Sequence, residues 1–102
     1  MGGLNELIHQ PLRLKIMAAL YAERDREIEF PRLKRIVEAT DGNLGSHLAT
    51  LENAGYVAIE KDFVGKKPRT RVVLTGEGRH AFRSHVDYLR EVVEAVDPKE
   101  AG

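Results

Sequence analysis

The chain contains no cysteine, which excludes a disulfide framework, thiolate metal ligands and a cysteine nucleophile. Long apolar runs are missing as well. None exceeds a few residues, so neither a membrane span nor a secretory h-region is expected, and a cytoplasmic location fits both absences. The opening MGGLNE begins like a myristoylation acceptor but carries Glu6 where serine or threonine is required. Neither charge sign is in excess, because 16 Lys and Arg balance 16 Asp and Glu. The chain as a whole therefore exerts no net pull on nucleic acid. Internal repeats and low-complexity segments are absent. So is any serine, histidine and acid constellation or paired-carboxylate arrangement, and no enzyme activity is expected. His80 and His85 lie five apart and diverge on a helix, so no metal or cofactor is expected either.

What remains is ordinary for a globular chain: 102 residues, 42% hydrophobic and 31% charged. That length fills one core, residues 1–102 forming a single domain, and fills it thinly enough that a second copy of the chain is a natural helper. Charge is uneven despite its zero sum. Between Lys61 and Arg71 the only acid is Asp62, against Lys61, Lys66, Lys67, Arg69 and Arg71. This local excess keeps a nucleic-acid partner in play.

Apolar residues at Leu4, Leu7, Ile8, Leu12, Ile16 and Leu20 recur every three or four positions, giving one helical stripe. Pro11 interrupts it, and its place is in the first turn of a new helix after a short one. EIEF (Glu27 to Phe30) predicts a small edge strand. Pro31 opens the next helix, with Phe30, Leu33, Ile36 and Val37 as its inner face. Thr40 or Asp41 caps a further helix with Leu44, Leu48, Leu51 and Ala54 inward, closed by Gly55. Tyr56 to Val64 and Thr70 to Leu74 predict two strands joined by a basic loop. Thr75 opens a long last helix reaching about Val96, before Asp97 and Pro98.

The helices opening at Pro31 and near Thr40 are joined by a very short turn, which is the helix-turn-helix arrangement, and the hairpin that follows makes it winged. The chain resembles the winged-helix transcriptional regulators of the MarR/ArsR-like group, a compact single-domain prokaryotic family within it above all. The resemblance rests on LIHQPLRLKIMAAL, TDGNLGSHLATLENAGYV, FVGKKPRT and LTGEGR, and spans Leu4 to about Val96. The expected fold is mainly α with a small β-hairpin (α+β). Residues 4–74 hold the helix-turn-helix and wing, 75–96 a C-terminal dimerisation helix and 97–102 a tail. The resemblance implies a homodimer that regulates transcription by binding double-stranded DNA, and leaves room for an unidentified small-molecule effector.

With the leucines of the helix capped by Thr40 or Asp41 turned inward, its opposite face offers Gly42, Asn43, Ser46 and Thr50 to base edges or phosphates. A solvated helix face has the same composition, and the residues alone do not separate the two. Gly45, in mid-helix, calls for a reason, whether close helix packing or close approach of DNA. No lysine or arginine lies between Asp41 and Gly55. His47, flanked by leucines, fits a half-buried structural role. Positive charge must therefore come from the wing, where Gly65 permits a sharp turn, Pro68 stiffens the loop, and Lys66, Lys67, Arg69 and Arg71 are the candidate DNA contacts. Lysines guarding a hairpin edge are the plainer alternative. Arg32 and Arg35, on the helix opening at Pro31, are further candidates. Phe82, Val86, Leu89, Val93 and Val96 follow the 3.5-residue spacing of a helix seam. With Leu4, Leu7 and Ile8 they form the expected dimer interface, although the protein's own core would use the same spacing. The competing reading is a winged helix that binds another protein and no specific DNA.

Overall fold

A computed structural model describes residues 3–96; the expected tail and the helix stop at Asp97 and Pro98 lie outside them. The elements are α1 (Glu6–His9), α2 (Pro11–Ala22), β1 (Glu27–Glu29), α3 (Phe30–Val37), α4 (Asp41–Asn53), β2 (Val57–Val64), β3 (Lys67–Leu74) and α5 (Gly76–Val96). The fold is mostly helical with a three-stranded antiparallel sheet, in which β3 lies between β1 and β2. No helix among the described residues is long and apolar enough to cross a membrane.

Local chemistry sets most of these boundaries. The Asn5 side chain caps α1 at the Ile8 amide, and Gln10 caps α2 at the Arg13 amide with Pro11 in the first turn. Thr40 Oγ1 accepts from the Asn43 amide at 3.2 Å and starts α4. That helix ends where Gly55 turns to φ +83°, and the amides of Gly55 and Tyr56 return to the carbonyls of Glu52 and Leu51. The turn between α3 and α4 is three residues long, and Glu38 takes the left-handed conformation there at φ 55°.

One core joins all layers: Ile8, Ile16, Met17 and Leu20 from the first helices, Leu33 and Val37 from α3, Leu44, Leu48 and Leu51 from α4. Ile28, Val57, Val72 and Leu74 of the sheet and Phe82 of α5 complete it. Ile36, expected inside, is 47% exposed. At about 100° per residue, Val37 and Phe30 sit about 40° and 60° to one side of Leu33, while Ile36 falls about 60° to the other, outside the buried arc.

The wing differs more. Lys67, Pro68 and Arg69 belong to β3, so the basic loop shrinks to a two-residue turn at Gly65 and Lys66. Only Gly65 has positive φ (64°), as in a type II′ hairpin. Pro68 is tolerated because β1 pairs with β3 only at residues 71–73, and Val64 and Lys67, which bracket the turn, are the hydrogen-bonding pair.

His85 is the single fully buried polar side chain of the described core. Its Nδ1 accepts from the Asn5 backbone amide at 3.1 Å, so the proton of the neutral ring sits on Nε2, facing His9 Nδ1 at 3.2 Å. Burial, then the nearby His9, lowers the His85 pKa. The unfolded chain takes up this proton near pH 6.5 while the folded chain does not. Stability is thus complete above that pH and is lost as pH falls from there toward the depressed folded value. Thermal unfolding between pH 7.5 and 5 should show this decline, and His85→Gln should flatten it.

Candidate nucleic-acid interface

The outer face of α4 is left uncovered by the rest of the fold. Gly42, Asn43 and Ser46 are exposed, and Thr50 is half-buried with its hydroxyl on the Ser46 carbonyl. Asp41 stands at the helix start in an ion pair with Lys34 at 2.8 Å. His47 is half-buried, with its Nδ1 3.0 Å from the Arg13 guanidinium, whose Nε also donates to the Leu7 carbonyl. The pair ties α4 to the first two helices, and His47 is a structural residue. Gly45 has no atom within 4 Å of where a Cβ would stand, so internal packing does not require glycine there. Gly45→Ala should therefore raise folding stability by about 0.5–1 kcal/mol in urea denaturation. The same variant should weaken any ligand that needs close approach to α4, which a duplex titration alongside would show.

The wing's arginines and lysines separate. Along β2 and β3, Val57, Ile59, Val72 and Leu74 face the core, and the other face carries charge. On that outer face Asp62 stands opposite Arg69 and accepts two bonds from it, at 2.9 and 2.7 Å. Arg71 meets Glu60 at 3.0 Å and reaches Glu27 on β1 at 2.6 Å. The bond to Arg69 lowers the Asp62 pKa, and the bond to Glu27 raises that of Arg71, so both pairs remain charged. Two guanidiniums thus face three carboxylates. Arg69 and Arg71, both candidate DNA contacts, are held in ion pairs on the hairpin; the ladder register places a carboxylate beside each. Lys61, Lys66 and Lys67 are exposed and have no ion pair among the described residues. The wing's free charge is on these lysines.

Arg32 is also engaged, bonded by both terminal nitrogens to Glu23, whereas Arg35 is exposed with no ion pair among the described residues. A cleft of about 460 Å³ beside β1 collects Arg32, Arg35, Arg69 and Arg71 with Glu23, Asp25, Glu27 and Glu29. Its charges balance, so it holds no strong field of either sign.

The expected dimer seam also splits. Ile8 and Phe82 are buried in the chain's own core, Phe82 against Tyr21 at 5.2 Å between ring centroids, and Val86 packs on that core. Leu7 and Leu89 are half-buried. Further along α5 every residue from Arg90 to Val96 is exposed, Val93 at 61% and Val96 at 81%, and Leu4 is exposed at the other end of the chain. His85 contacts Asn5 and His9 and takes no part in a metal group; none of three or more His, Cys, Asp or Glu occurs among the described residues.

A three-residue turn between α3 and α4, an uncovered small-residue face on α4 and a hairpin beside it define a winged helix-turn-helix. The chain belongs to the winged helix DNA-binding domain family, whose model matches residues 12–93. It is 35% identical over 92 residues to the uncharacterized protein MJ0432 of Methanocaldococcus jannaschii, covering 90% of this chain and 98% of that one. A transcriptional regulator homologue from Pyrococcus horikoshii has a similar structure, at a TM-score of 0.84, with 30% identity over 91% of this chain and 90% of its own. The fold is shared with a MarR family transcriptional regulator from Streptomyces coelicolor solved in complex with DNA, at a TM-score of 0.64, 20% identity and coverage of 93% and 79%. The fold is thus that of winged-helix transcriptional regulators.

Proposed function

We propose that the protein is a homodimeric regulator that binds a two-fold symmetric DNA duplex, with α4 in the major groove and the wing on the neighbouring backbone. The observation that carries this reading is the pairing of an uncovered, small polar helix face with free lysines on the hairpin beside it. Gly42, Asn43, Ser46 and Thr50 meet base edges or nearby phosphates, and the small side chains let the backbone approach the groove floor. Lys66 and Lys67 supply phosphate attraction, Arg35 adds to it from α3, and Arg69 and Arg71 hold the hairpin's shape. The bare valines of α5 and exposed Leu4 support association with a second copy through Leu4, Leu89, Val93 and Val96. Two-fold pairing sets the two α4 helices about 34 Å apart, one turn of the duplex. The groove lined by Leu4, His80, Ala81 and Ser84, beside this interface, is the place for a small-molecule effector. Such a regulator works in the cytoplasm, where its DNA is.

Selection of duplexes from a random pool by the purified protein at moderate salt tests the reading. It expects enrichment of a two-fold symmetric motif and a dimeric mass by light scattering. Recovery of no duplex would instead favour a winged helix that binds another protein, a use that the balanced net charge allows.

A further inference from the structure

Phe63 is 71% exposed, the most exposed aromatic among the described residues, and the packing of the domain does not explain it. Strand alternation puts it on the same face of β2 as Val57 and Ile59, the face turned toward the core and α4. It lies four residues beyond Ile59, about 13 Å further out at a strand's rise, where no core remains to cover it. Pro68 is its cross-strand partner, at a position in the ladder where opposed side chains come closest. A rigid ring therefore backs the phenyl group. Lys61 shares its face, Lys66 sits in the turn beside it, Lys67 (paired with Val64) leaves from the opposite face, and all three cations are unpaired among the described residues. The acids of the hairpin, Glu60 and Asp62, point to the opposite face and are occupied by arginine. An exposed aromatic near the end of an edge strand invites aggregation, so its place at the wing tip calls for a partner.

We propose that Phe63 is a DNA contact, its ring packing on the deoxyribose walls of the minor groove while Lys66 and Lys67 hold the flanking phosphates. The inference rests on the reading of the protein as a duplex binder. An apolar partner flanked by anions is what the tip complements. The minor groove offers this arrangement, with sugar edges between two phosphate rows, and apolar side chains are known occupants of it. The surface is also continuous with the α4 face, because Lys61, Ile59 and Thr70 share a groove with Gly45 and Ala49.

The test compares wild type, Phe63→Ala and Phe63→Leu on the duplex that selection recovers, by titration at several salt concentrations and by hydroxyl-radical footprinting, which reads deoxyribose exposure. Far-ultraviolet circular dichroism should show all three equally folded, since the ring is largely exposed. The expected result is about 10-fold weaker binding by the proposed dimer for Phe63→Ala, roughly 3-fold for each partly buried ring, with the logarithmic salt slope unchanged and the sugar protection lost only at the wing's position. Phe63→Leu should keep most of both. Wild-type affinity and footprint in Phe63→Ala would overturn the inference and leave the DNA-binding reading intact. Failure of the wild type itself to bind any duplex would overturn that reading and this inference with it. Vesicles of phosphatidylcholine and phosphatidylserine serve as the competing probe: Phe63-dependent binding to them, without a duplex footprint, would make the tip a lipid contact and end the proposal.

Discussion

Replacing Lys66 and Lys67 together by alanine is expected to weaken duplex binding by about 100-fold at 0.1 M salt and to remove roughly three to four units from the logarithmic salt slope of the proposed dimer. Each lysine that neutralises a phosphate releases about one counterion, and two lysines on each of two wings set the size of the change. The matching experiment on Arg69 and Arg71 should give a much smaller effect. Their charge is already met by Asp62, Glu60 and Glu27 at 2.6–3.0 Å, and a phosphate would have to displace a carboxylate to reach them. Asp62→Asn should move in the opposite direction, freeing Arg69 and steepening the slope. Titrations of the three variants at 50–300 mM salt, about the range over which such slopes are read, decide the matter. An unchanged slope in the lysine variant, or an equal loss on removing Arg69, would show that the wing's charge is not divided as the ion pairs indicate.

That division between lysine and arginine separates what the sequence makes legible from what it does not. Pro11, Thr40, Gly55 and Thr75 mark element ends because capping and turn chemistry act over two to four residues. The leucines of α4 identify their face because period and burial coincide. The fate of Arg69 and Arg71 depends instead on the register of the hairpin, and for Arg71 on Glu27, 44 positions away. Part of it was nonetheless available. VGKK read as a two-residue turn with Gly65 first places Asp62 opposite Arg69 and Glu60 opposite Arg71. Pro68 favours a loop over that register only until its missing amide proton is seen to fall where the ladder requires none. The same register and the alternation of β2 set Phe63 past the edge of the core, a signal hidden while the residues after it count as loop. The α5 seam is ambiguous for a different reason. A spacing of four and three serves a protomer's own core and a partner helix equally, and only the tertiary fold assigns Phe82 to the first and leaves Val93 and Val96 bare.

Gly78→Ala is expected to cost about 3 kcal/mol of folding stability, lowering the midpoint of thermal unfolding by about 10–20 °C. In an ordinary helix this change is favourable, as predicted at Gly45, because alanine loses less backbone freedom on folding. At Gly78 the sign reverses. A Cβ there would drive into the backbone of Tyr56, within 2.8 Å of its carbonyl carbon and 2.9 Å of its Cα, and into its carbonyl oxygen. That backbone is poorly placed to yield. The Tyr56 carbonyl accepts from the Thr75 amide at 3.1 Å, while the Thr75 hydroxyl donates to the Gly55 carbonyl at 2.6 Å and accepts from the Gly78 amide at 2.9 Å. The Tyr56 hydroxyl in turn accepts from the Asn5 side chain at 3.1 Å. The close approach therefore clamps three things together: the end of α4, the base of the wing and the start of α5. Relief of the clash would tilt α5 away from α4 and the wing, so on the proposed function duplex affinity should fall with stability even though Gly78 is buried and distant from the proposed contacts. Urea denaturation of Gly78→Ala beside Gly45→Ala provides the comparison, the same methyl group added to two glycines of one chain. Equal stability changes in the two variants would mean that the junction yields, and that contact between Gly78 and Tyr56 does not fix how α5 leaves the wing.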